Sequence, residues 1–223
     1  MVSFIDDTLW FPDPQYGDET GLLAIGGDLS PQRLILAYSN GIFPWYSFSD
    51  FDVPLWYCPL DRFVIFPDEI HISHSMKSLI NRNRYKITIN QVFDRVIEEC
   101  GIVDGRNLMD GAWIGPDIIE AYNEMHRLGL AMSVEVWDPD SKETEGKDRL
   151  VGGLYGICLK NAFFGESMFS RVPNASKLAL IMLGRLGVEK KWHFIDCQFE
   201  TSHLKSMGGR HISYEEYMRL LGS

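Results

Sequence analysis

The chain has 223 residues, 45% of them hydrophobic and 23% charged, and its 31 acidic and 21 basic residues give a net charge of −10 at pH 7. These proportions exclude a disordered, collagen-like or coiled-coil chain and are typical of a globular protein with one large or two small domains. The acidic balance argues against indiscriminate nucleic-acid binding. No segment is long and apolar enough to span a membrane, and the first residues do not resemble a signal sequence. We therefore expect a cytoplasmic protein with no membrane partner.

Residues 1–60 are rich in proline, glycine and aromatic residues, and their pattern predicts one helix. Ser30 can cap that helix, Pro31 suits its first position and Gly41 follows its end. The remainder of the segment is typical of turns and short strands. The sequence therefore predicts a small N-terminal subdomain over 1–60 that buries its aromatic residues against a larger neighbour.

Residues 61–223 alternate between helical and strand patterns. Helical spacing and capping residues predict helices over 74–82, 91–100, 116–129 and 175–186, and a last helix from a capping box of Ser213 and Glu216. Strands are predicted over 85–90, 131–137, 149–159, 162–170 and 192–199, with a polar hairpin loop over 138–148 and a two-residue turn at Lys160 and Asn161. This order predicts an α/β fold of the α+β kind, with a mixed, mainly antiparallel sheet flanked by helices, as in GNAT acetyltransferases.

The predicted strand over 192–199 contains the most informative polar pair. Alternation along a strand places Asp196 and Gln198 on one face and Ile195 and Cys197 on the other. A carboxylate and an amide on a central strand either face a polar cavity or are paired. An aspartate satisfied by backbone amides of a loop is the alternative to a catalytic one.

Glu166 is the single acid in the apolar strand over 162–170. Alternation places it on the same face as Phe164 and Met168. Gly165 beside it indicates the close approach of another group. The alternative is an edge strand from which Glu166 points to water.

Charge is unevenly distributed along the chain. Residues 1–30 contain six acids and no Lys or Arg, whereas residues 71–90 contain no acid and four bases, Lys77, Arg82, Arg84 and Lys86. A basic patch on an acidic protein predicts that a polyanion binds at one place only.

The cysteines and histidines show no metal-binding pattern. Cys58, Cys100, Cys158 and Cys197 are far apart and form no CxxC pair, which is typical of buried free thiols in a reducing compartment. The six histidines have no ligand spacing, so we expect no metal site.

Several long sequence words occur together in this chain. They are FPDP (11–14), GLLAIGGDLSPQRLILAY (21–38), GIFPWYS (41–47), LVGGLYG (150–156), FFGESMFSR (163–171), NASKLAL (174–180), IDCQ (195–198) and TSHLKSMGG (201–209). In these segments, and in the HIS-SMK residues of 71–77, the chain resembles the leucyl/phenylalanyl-tRNA–protein transferases over nearly its whole length.

The resemblance implies a small N-terminal domain over 1–60 and a GNAT-like aminoacyltransferase domain over 61–223. It implies transfer of Leu or Phe, and less readily Met, from aminoacyl-tRNA to proteins whose N-terminus is Arg or Lys, which marks them for N-degron proteolysis. It also implies that the protein works as a monomer and needs neither a metal nor another cofactor.

The family's functional residues correspond to matching positions in this sequence. The resemblance assigns catalytic roles to Glu166, Asp196 and Gln198. It assigns substrate contacts to Trp45, Trp113 and Phe163, and an apolar pocket for the donor side chain to Leu154, Met168, Leu180, Leu183 and Ile195. The basic tRNA-facing helix matches Lys77 and Arg82, and we extend this tRNA-binding segment to Arg84 and Lys86.

Three segments and two single positions depart from the family's pattern. The family's WWSPDPR is WYCPLDR (56–62) here, TWI is AWI (112–114), and AHSVE is AMSVE (131–135). Gly187 stands where an aromatic residue is usual, and His74 replaces a base of the tRNA-binding helix. These differences affect the pocket shape and the tRNA contact.

The chemistry of the implied reaction needs alignment more than activation, because an aminoacyl ester is already reactive towards an amine. A neutral amide is a poor base, so we expect Gln198 to orient the acceptor amine and Asp196 to hold it, while a ribose hydroxyl of the tRNA moves the proton. We expect Glu166 to anchor the charge of the donor or the acceptor.

Two other functions fit parts of the pattern. An acyl-CoA N-acyltransferase would need a glycine-rich pyrophosphate loop where this chain has RVPNASK (171–177), which contains no glycine. A non-catalytic adaptor could bind basic N-termini through Asp196 and Glu166, and its peptide binding would not depend on aminoacyl-tRNA.

Overall fold

The computed structural model describes residues 2–45, 53–102, 114–143 and 146–222. Its helices are α1 (Pro31–Ser39), α2 (His74–Asn81), α3 (Phe93–Ile102), α4 (Pro116–Arg127), α5 (Ala175–Lys190), α6 (Ser202–Ser206) and α7 (Tyr214–Gly222). Its strands are β1 (Ser3–Ile5), β2 (Leu22–Gly26), β3 (Phe43–Pro44), β4 (Leu55–Tyr57), β5 (Asp61–Ile65), β6 (Lys86–Ile89), β7 (Ala131–Lys142), β8 (Asp148–Leu159), β9 (Ala162–Ser170), β10 (Phe194–Asp196) and β11 (Arg210–Ser213).

The strands form two mixed sheets. The smaller sheet has the order β1-β2-β4-β3, and the larger has the order β11-β5-β10-β9-β8-β7-β6. In the larger sheet β9 and β10 are parallel, and the other neighbouring strands are antiparallel. The predicted α/β fold with a mixed, mainly antiparallel sheet and flanking helices is confirmed. The GNAT-like part of that expectation stays a prediction.

Capping residues set the starts of the helices, as the sequence indicated. The hydroxyl of Ser30 accepts a hydrogen bond from the Arg33 amide at 3.4 Å, and Ser73 accepts one from Met76 at 3.3 Å. Ser213 accepts a bond from the Glu216 amide at 3.2 Å at the start of α7. Each bond satisfies an amide that the first helical turn leaves without a partner.

The structure changes the length of three predicted elements. Strands β7 and β8 extend to Lys142 and from Asp148, so the loop predicted over 138–148 is much shorter. Helix α5 continues to Lys190 rather than to 186. The strand predicted over 192–199 is reduced to β10, because Gln198 adopts a left-handed conformation with φ of 59° that turns the chain out of the sheet.

Helices cover both faces of the larger sheet. On one face, Leu180 and Leu183 of α5 pack in one cluster with Ile195 of β10. On the other face, α1, α3 and α4 pack in a core that also contains Leu23 and Trp56 of the N-terminal part. The predicted domain boundary after residue 60 therefore stays a prediction, since buried residues on both sides of it share one core.

A β-bulge in β9 determines which side chains face which layer. Tyr155 pairs with Ser167, and the next residue of β8, Gly156, pairs with Gly165, so Glu166 has no residue opposite it. The extra residue reverses the alternation. Phe163 and Met168 consequently pack with the α5 layer, whereas Phe164 and Phe169 pack in the other layer. The prediction that Glu166 shares one face with both Phe164 and Met168 is therefore wrong, because the bulge places these two residues in different layers.

Gly156 makes the bulge possible, and we expect Gly156→Ala to break it. A Cβ at this position would lie 2.0 Å from the carbonyl oxygen of Phe164, which is backbone and cannot rotate away. We predict a loss of about 1–3 kcal/mol in the free energy of unfolding, measured with urea. Gly222→Ala, which meets open space, is the control and should leave stability nearly unchanged. Equal unfolding midpoints for the two variants would contradict this account.

Candidate active site

Two cavities meet at a common wall beside the end of β10. The larger, of ≈350 Å³, lies against α5, and the smaller, of ≈120 Å³, lies beside β3. Four residues line both cavities and form the shared wall: Trp45, Glu166, Gln198 and Phe199. A group bound in one cavity therefore meets a group bound in the other at this wall.

The residues predicted to form the donor pocket lie together around the larger cavity. All five apolar residues proposed for it, together with Phe163, line this cavity: Leu154, Met168, Leu180, Leu183 and Ile195. Met168 reaches it because the bulge turns it towards α5. Trp45 lies at the shared wall and is partly exposed. Trp113 lies outside the described residues.

Glu166 is held at the shared wall by two tyrosines. The Tyr38 hydroxyl lies 2.7 Å from Oε1 of Glu166, the Tyr122 hydroxyl lies 3.1 Å from Oε2, and the two hydroxyls also contact each other. Burial raises the pKa of Glu166 to about 8, although both tyrosine hydrogen bonds oppose this rise. Strand β9 lies between β8 and β10, so the alternative of an edge-strand glutamate pointing to water is wrong.

Sequence reasoning missed Tyr38 and Tyr122 as site residues. Both residues lie on helices, α1 and α4, and both are fully buried. The signal that could have found them is the polar hydroxyl, which a buried tyrosine must place against a partner.

Asp196 does not line either cavity. It is fully buried and forms a bidentate ion pair with Arg62, with Nε at 3.0 Å and Nη2 at 2.7 Å from its oxygens. The Tyr217 hydroxyl and the backbone amide of Gln198 each donate a further hydrogen bond to it at 2.9 Å. Of the two possibilities predicted from the sequence, a carboxylate that faces a cavity or one that is paired, the structure shows the paired one. The expectation that Asp196 holds the acceptor amine directly does not fit this geometry.

Arg62 was missed as a partner because it lies 134 residues from Asp196 in the sequence. Its guanidinium is fully buried between the rings of Phe43 and Tyr217, at 4.9 and 4.8 Å from their centres. These rings and the carboxylate together compensate the charge that burial removes from water.

Gln198 reaches the shared wall through the turn that ends β10. Its backbone amide donates a hydrogen bond to Asp196 Oδ1, and its backbone carbonyl accepts one from the Phe63 amide at 3.3 Å. The prediction that it lies along a regular strand with Asp196 is wrong, because its left-handed φ of 59° ends that strand. The structure thus brings Gln198 and Glu166 together at the cavities and leaves Asp196 behind them.

The predicted tRNA-binding bases lie on a different surface. All four are exposed on or after α2, namely Lys77, Arg82, Arg84 and Lys86. Arg84 forms an ion pair with Asp138 at 3.5 Å and packs over the ring of Tyr85. Arg84 and Lys86 also border a separate cavity of ≈480 Å³ that α2, β6 and α5 enclose.

The described residues contain no group of three His, Cys, Asp or Glu side chains placed to hold a metal ion. No helix in the same residues has the length and apolar character of a membrane span. None of the four cysteines, all of which lie in the described ranges, forms a disulfide; Cys58 and Cys100 are buried as predicted, whereas Cys158 and Cys197 are partly buried.

Comparisons with known proteins show the family to which this chain belongs. The family model described as leucyl/phenylalanyl-tRNA protein transferase matches residues 64–222, and the model of that family's N-terminal domain matches residues 27–60. Proteins named leucyl/phenylalanyl-tRNA–protein transferase are similar over nearly full length. The one from Flavobacterium psychrophilum is 44% identical over 99% of both chains, and the one from Flavobacterium johnsoniae is 47% identical over 96% of both.

Two solved structures superpose on this chain with low scores. The structure of L-PGS from Bacillus licheniformis superposes with a TM-score of 0.46 at 12% identity, covering 92% of this chain and 75% of that one. The crystal structure of FemX superposes with a TM-score of 0.47 at 9% identity, covering 86% of this chain and 71% of that one.

The full-length similarity defines the protein as an aminoacyltransferase that uses aminoacyl-tRNA. The chain belongs to the leucyl/phenylalanyl-tRNA–protein transferase family.

The buried ion pair predicts a large effect of Asp196→Asn on stability. Removing the negative charge leaves Arg62 buried without compensation, so we expect the free energy of unfolding to fall by about 3–5 kcal/mol in urea titrations. Adding Arg62→Met should recover part of this loss. The exposed Asp140 provides the control Asp140→Asn, and the prediction fails if Asp196→Asn is as stable as that control.

Proposed function

We propose that the protein transfers Leu or Phe, and less readily Met, from aminoacyl-tRNA to the α-amine of proteins with N-terminal Arg or Lys. The product would then enter N-degron proteolysis, and we expect the enzyme to act in the cytoplasm as a monomer. The observation that carries this proposal is the apolar cavity of ≈350 Å³ that shares the wall of Glu166 and Gln198 with a second cavity. This arrangement suits a reaction between two bound groups.

The larger cavity suits the donor side chain. Apart from the polar groups at the shared wall and at its rim, aliphatic and aromatic side chains line it, among them Leu154, Phe163, Met168, Leu180, Leu183 and Ile195. Such a lining favours Leu, Phe and Met, whose side chains are unbranched at Cβ. With the side chain in this cavity, the ester carbonyl would lie at the shared wall.

The smaller cavity suits the acceptor N-terminus. It opens at the shared wall and is otherwise lined by Phe43 and Pro44. Its aromatic lining offers ring faces to a cation, and the net charge of −10 favours basic over acidic acceptors. In this arrangement the Gln198 side chain orients the acceptor amine. Asp196 acts as a positioning residue, because it accepts a hydrogen bond from the Gln198 backbone amide.

The alternatives lack comparable support. The segment over 171–174 before α5 contains Pro173 and no glycine, unlike a glycine-rich pyrophosphate-binding loop. An adaptor for basic N-termini would need Asp196 free to bind them, whereas Arg62 already pairs with it.

The function is tested by incubating the protein with labelled Phe-tRNA, Leu-tRNA or Val-tRNA and peptides that differ only in their first residue. We expect label on peptides starting with Arg or Lys, from Phe-tRNA and Leu-tRNA, in the absence of acetyl-CoA. Peptide binding without any transfer would favour the adaptor, and transfer that requires acetyl-CoA would favour the acyl-CoA enzyme.

Met168 and Leu180 are expected to set donor selectivity. Met168→Ala and Leu180→Ala enlarge the cavity, and a methylene in an apolar pocket discriminates by about 1–3 kcal/mol. The ratio of kcat/KM for Leu-tRNA over Val-tRNA should therefore fall in each variant. Leu186→Ala, on α5 but not in the cavity lining, is the matched control. Equal transfer of Val and Leu by the unmutated protein would overturn this assignment of the pocket.

The exposed bases after Ser73 are expected to contact tRNA phosphates. Lys77→Ala combined with Arg82→Ala should raise the KM for aminoacyl-tRNA and reduce the slope of log KM against log salt by about 2, one for each lost contact. The KM for the peptide should barely change. Lys190→Ala combined with Arg127→Ala removes the same charge elsewhere, and the same reduction in that control would show that the effect is not local.

A further inference from the structure

We propose that Glu166 carries the proton in this reaction: its carboxylate accepts a proton from the acceptor α-ammonium and gives it to the ribose oxygen that leaves the ester. The inference rests on the proposed function and deepens it, because it assigns the proton path at the same site. It replaces the expectation that Glu166 only anchors a charge and that a ribose hydroxyl moves the proton.

The position of Glu166 is the first observation. It is the one carboxyl group among the described residues that lines either cavity, and it lines both. The bulge places it there, since Glu166 is the residue of β9 without a partner on β8. A group at this wall can reach an amine in one cavity and the ester oxygens of a donor in the other.

The hydrogen bonds to Glu166 are the second observation. Tyr38 and Tyr122 each donate one bond to a different oxygen of its carboxylate, at 2.7 and 3.1 Å, and their hydroxyls also contact each other. Burial raises the pKa of both tyrosines, so both hydroxyls stay protonated and act as donors. They hold the carboxylate at the shared wall and do not compete with it for the reacting proton.

The charged surroundings fit this task. Burial raises the pKa of Glu166 to about 8, close to the value of about 8 of an α-amine, so proton transfer between them costs little. Tyr38 and Tyr122 oppose the rise by donating hydrogen bonds. Asp196 raises the pKa and Arg62 lowers it, and the two offset each other because they are paired.

Gln198 is less suited to carry a proton. Its side chain ends in a carboxamide, which neither gains nor loses a proton near neutral pH. Its amide nitrogen Nε2 lies 3.4 Å from the Asp196 carbonyl oxygen, which orients the group. Gln198 can therefore position the amine while Glu166 exchanges the proton.

The protons balance over the cycle. Ionised Glu166 takes one proton from the acceptor ammonium, and the neutral amine attacks the ester carbonyl carbon to form the C–N bond and an oxyanion. When the bond from carbon to the ribose oxygen breaks, Glu166 protonates that oxygen. The carboxylate then takes the second proton from the new amide nitrogen and releases it to water, so one proton leaves for each peptide bond formed.

Glu166→Gln tests the inference with two acceptors. We would measure single-turnover rates with saturating Phe-tRNA and an Arg-starting peptide, and with the same peptide carrying an aminooxy group in place of its α-amine. The aminooxy nitrogen is unprotonated at neutral pH and needs no base before it attacks. We expect the rate with the amine to fall roughly 10²–10⁴-fold and the rate with the aminooxy acceptor to fall far less. Glu98→Gln, on the exposed face of α3, is the control.

The pH profile gives a second, independent readout. The unmutated protein should show a bell-shaped rate against pH, because the reactive state holds one proton shared by Glu166 and the amine. Glu166→Gln should lose the falling limb and keep only the rise due to the amine. Tyr122→Phe removes a bond that lowers the pKa of Glu166, so its falling limb should move to higher pH.

The outcomes separate the two proposals. No transfer by the unmutated protein to either acceptor would overturn the proposed function and this inference with it. Transfer by the unmutated protein, with equal losses on both acceptors in Glu166→Gln, would overturn this inference alone. A bell-shaped profile that persists in Glu166→Gln, or a limb that Tyr122→Phe does not move, would do the same.

Discussion

The buried ion pair between Arg62 and Asp196 is the constraint on which the rest of the site depends. It joins β5 to β10, and its neighbours Phe43 and Tyr217 connect it to the smaller sheet and to α7. Burying two charges costs several kcal/mol unless good geometry and additional contacts compensate this cost. Here the Gln198 backbone amide, the Tyr217 hydroxyl and the Phe43 ring supply such contacts. Because Asp196 also holds the Gln198 amide, the pair fixes the turn that brings Gln198 to the cavities.

A second local feature, the bulge at Glu166, works with this pair. The pair fixes the end of β10, and the bulge fixes the neighbouring part of β9, so Gln198, just after β10, and Glu166, within β9, meet at one wall. The same extra residue turns Met168 towards α5 and completes the apolar cavity. The site thus combines the neutral Gln198, which we propose orients the amine, with Glu166, an acid of raised pKa that we propose exchanges the proton.

Local signals predicted the elements that depend on local physics. Ser30 and Ser73 mark real helix starts because a cap acts within three residues. The partners of Asp196 and Glu166 could not be predicted in this way, since Arg62 lies 134 residues from Asp196 and Tyr38 lies 128 residues from Glu166. The alternation rule predicted the wrong faces in β9 because of the bulge, and it failed beyond β10 because Gln198 is left-handed. The alternation of polar and apolar side chains does not indicate either of these two backbone features.

The central claim is that donor and acceptor meet between Glu166 and Gln198 while Asp196 stays paired. A crystal structure with adenosine joined through a 3′-amide to phenylalanine, together with an Arg-starting peptide, tests it most directly. We expect the phenyl ring among Leu180, Leu183 and Ile195, the peptide amine within hydrogen-bond distance of Glu166, and the bond between Arg62 and Asp196 intact. A phenyl ring outside this cavity, or Asp196 released from Arg62 and bound to the peptide, would contradict the account.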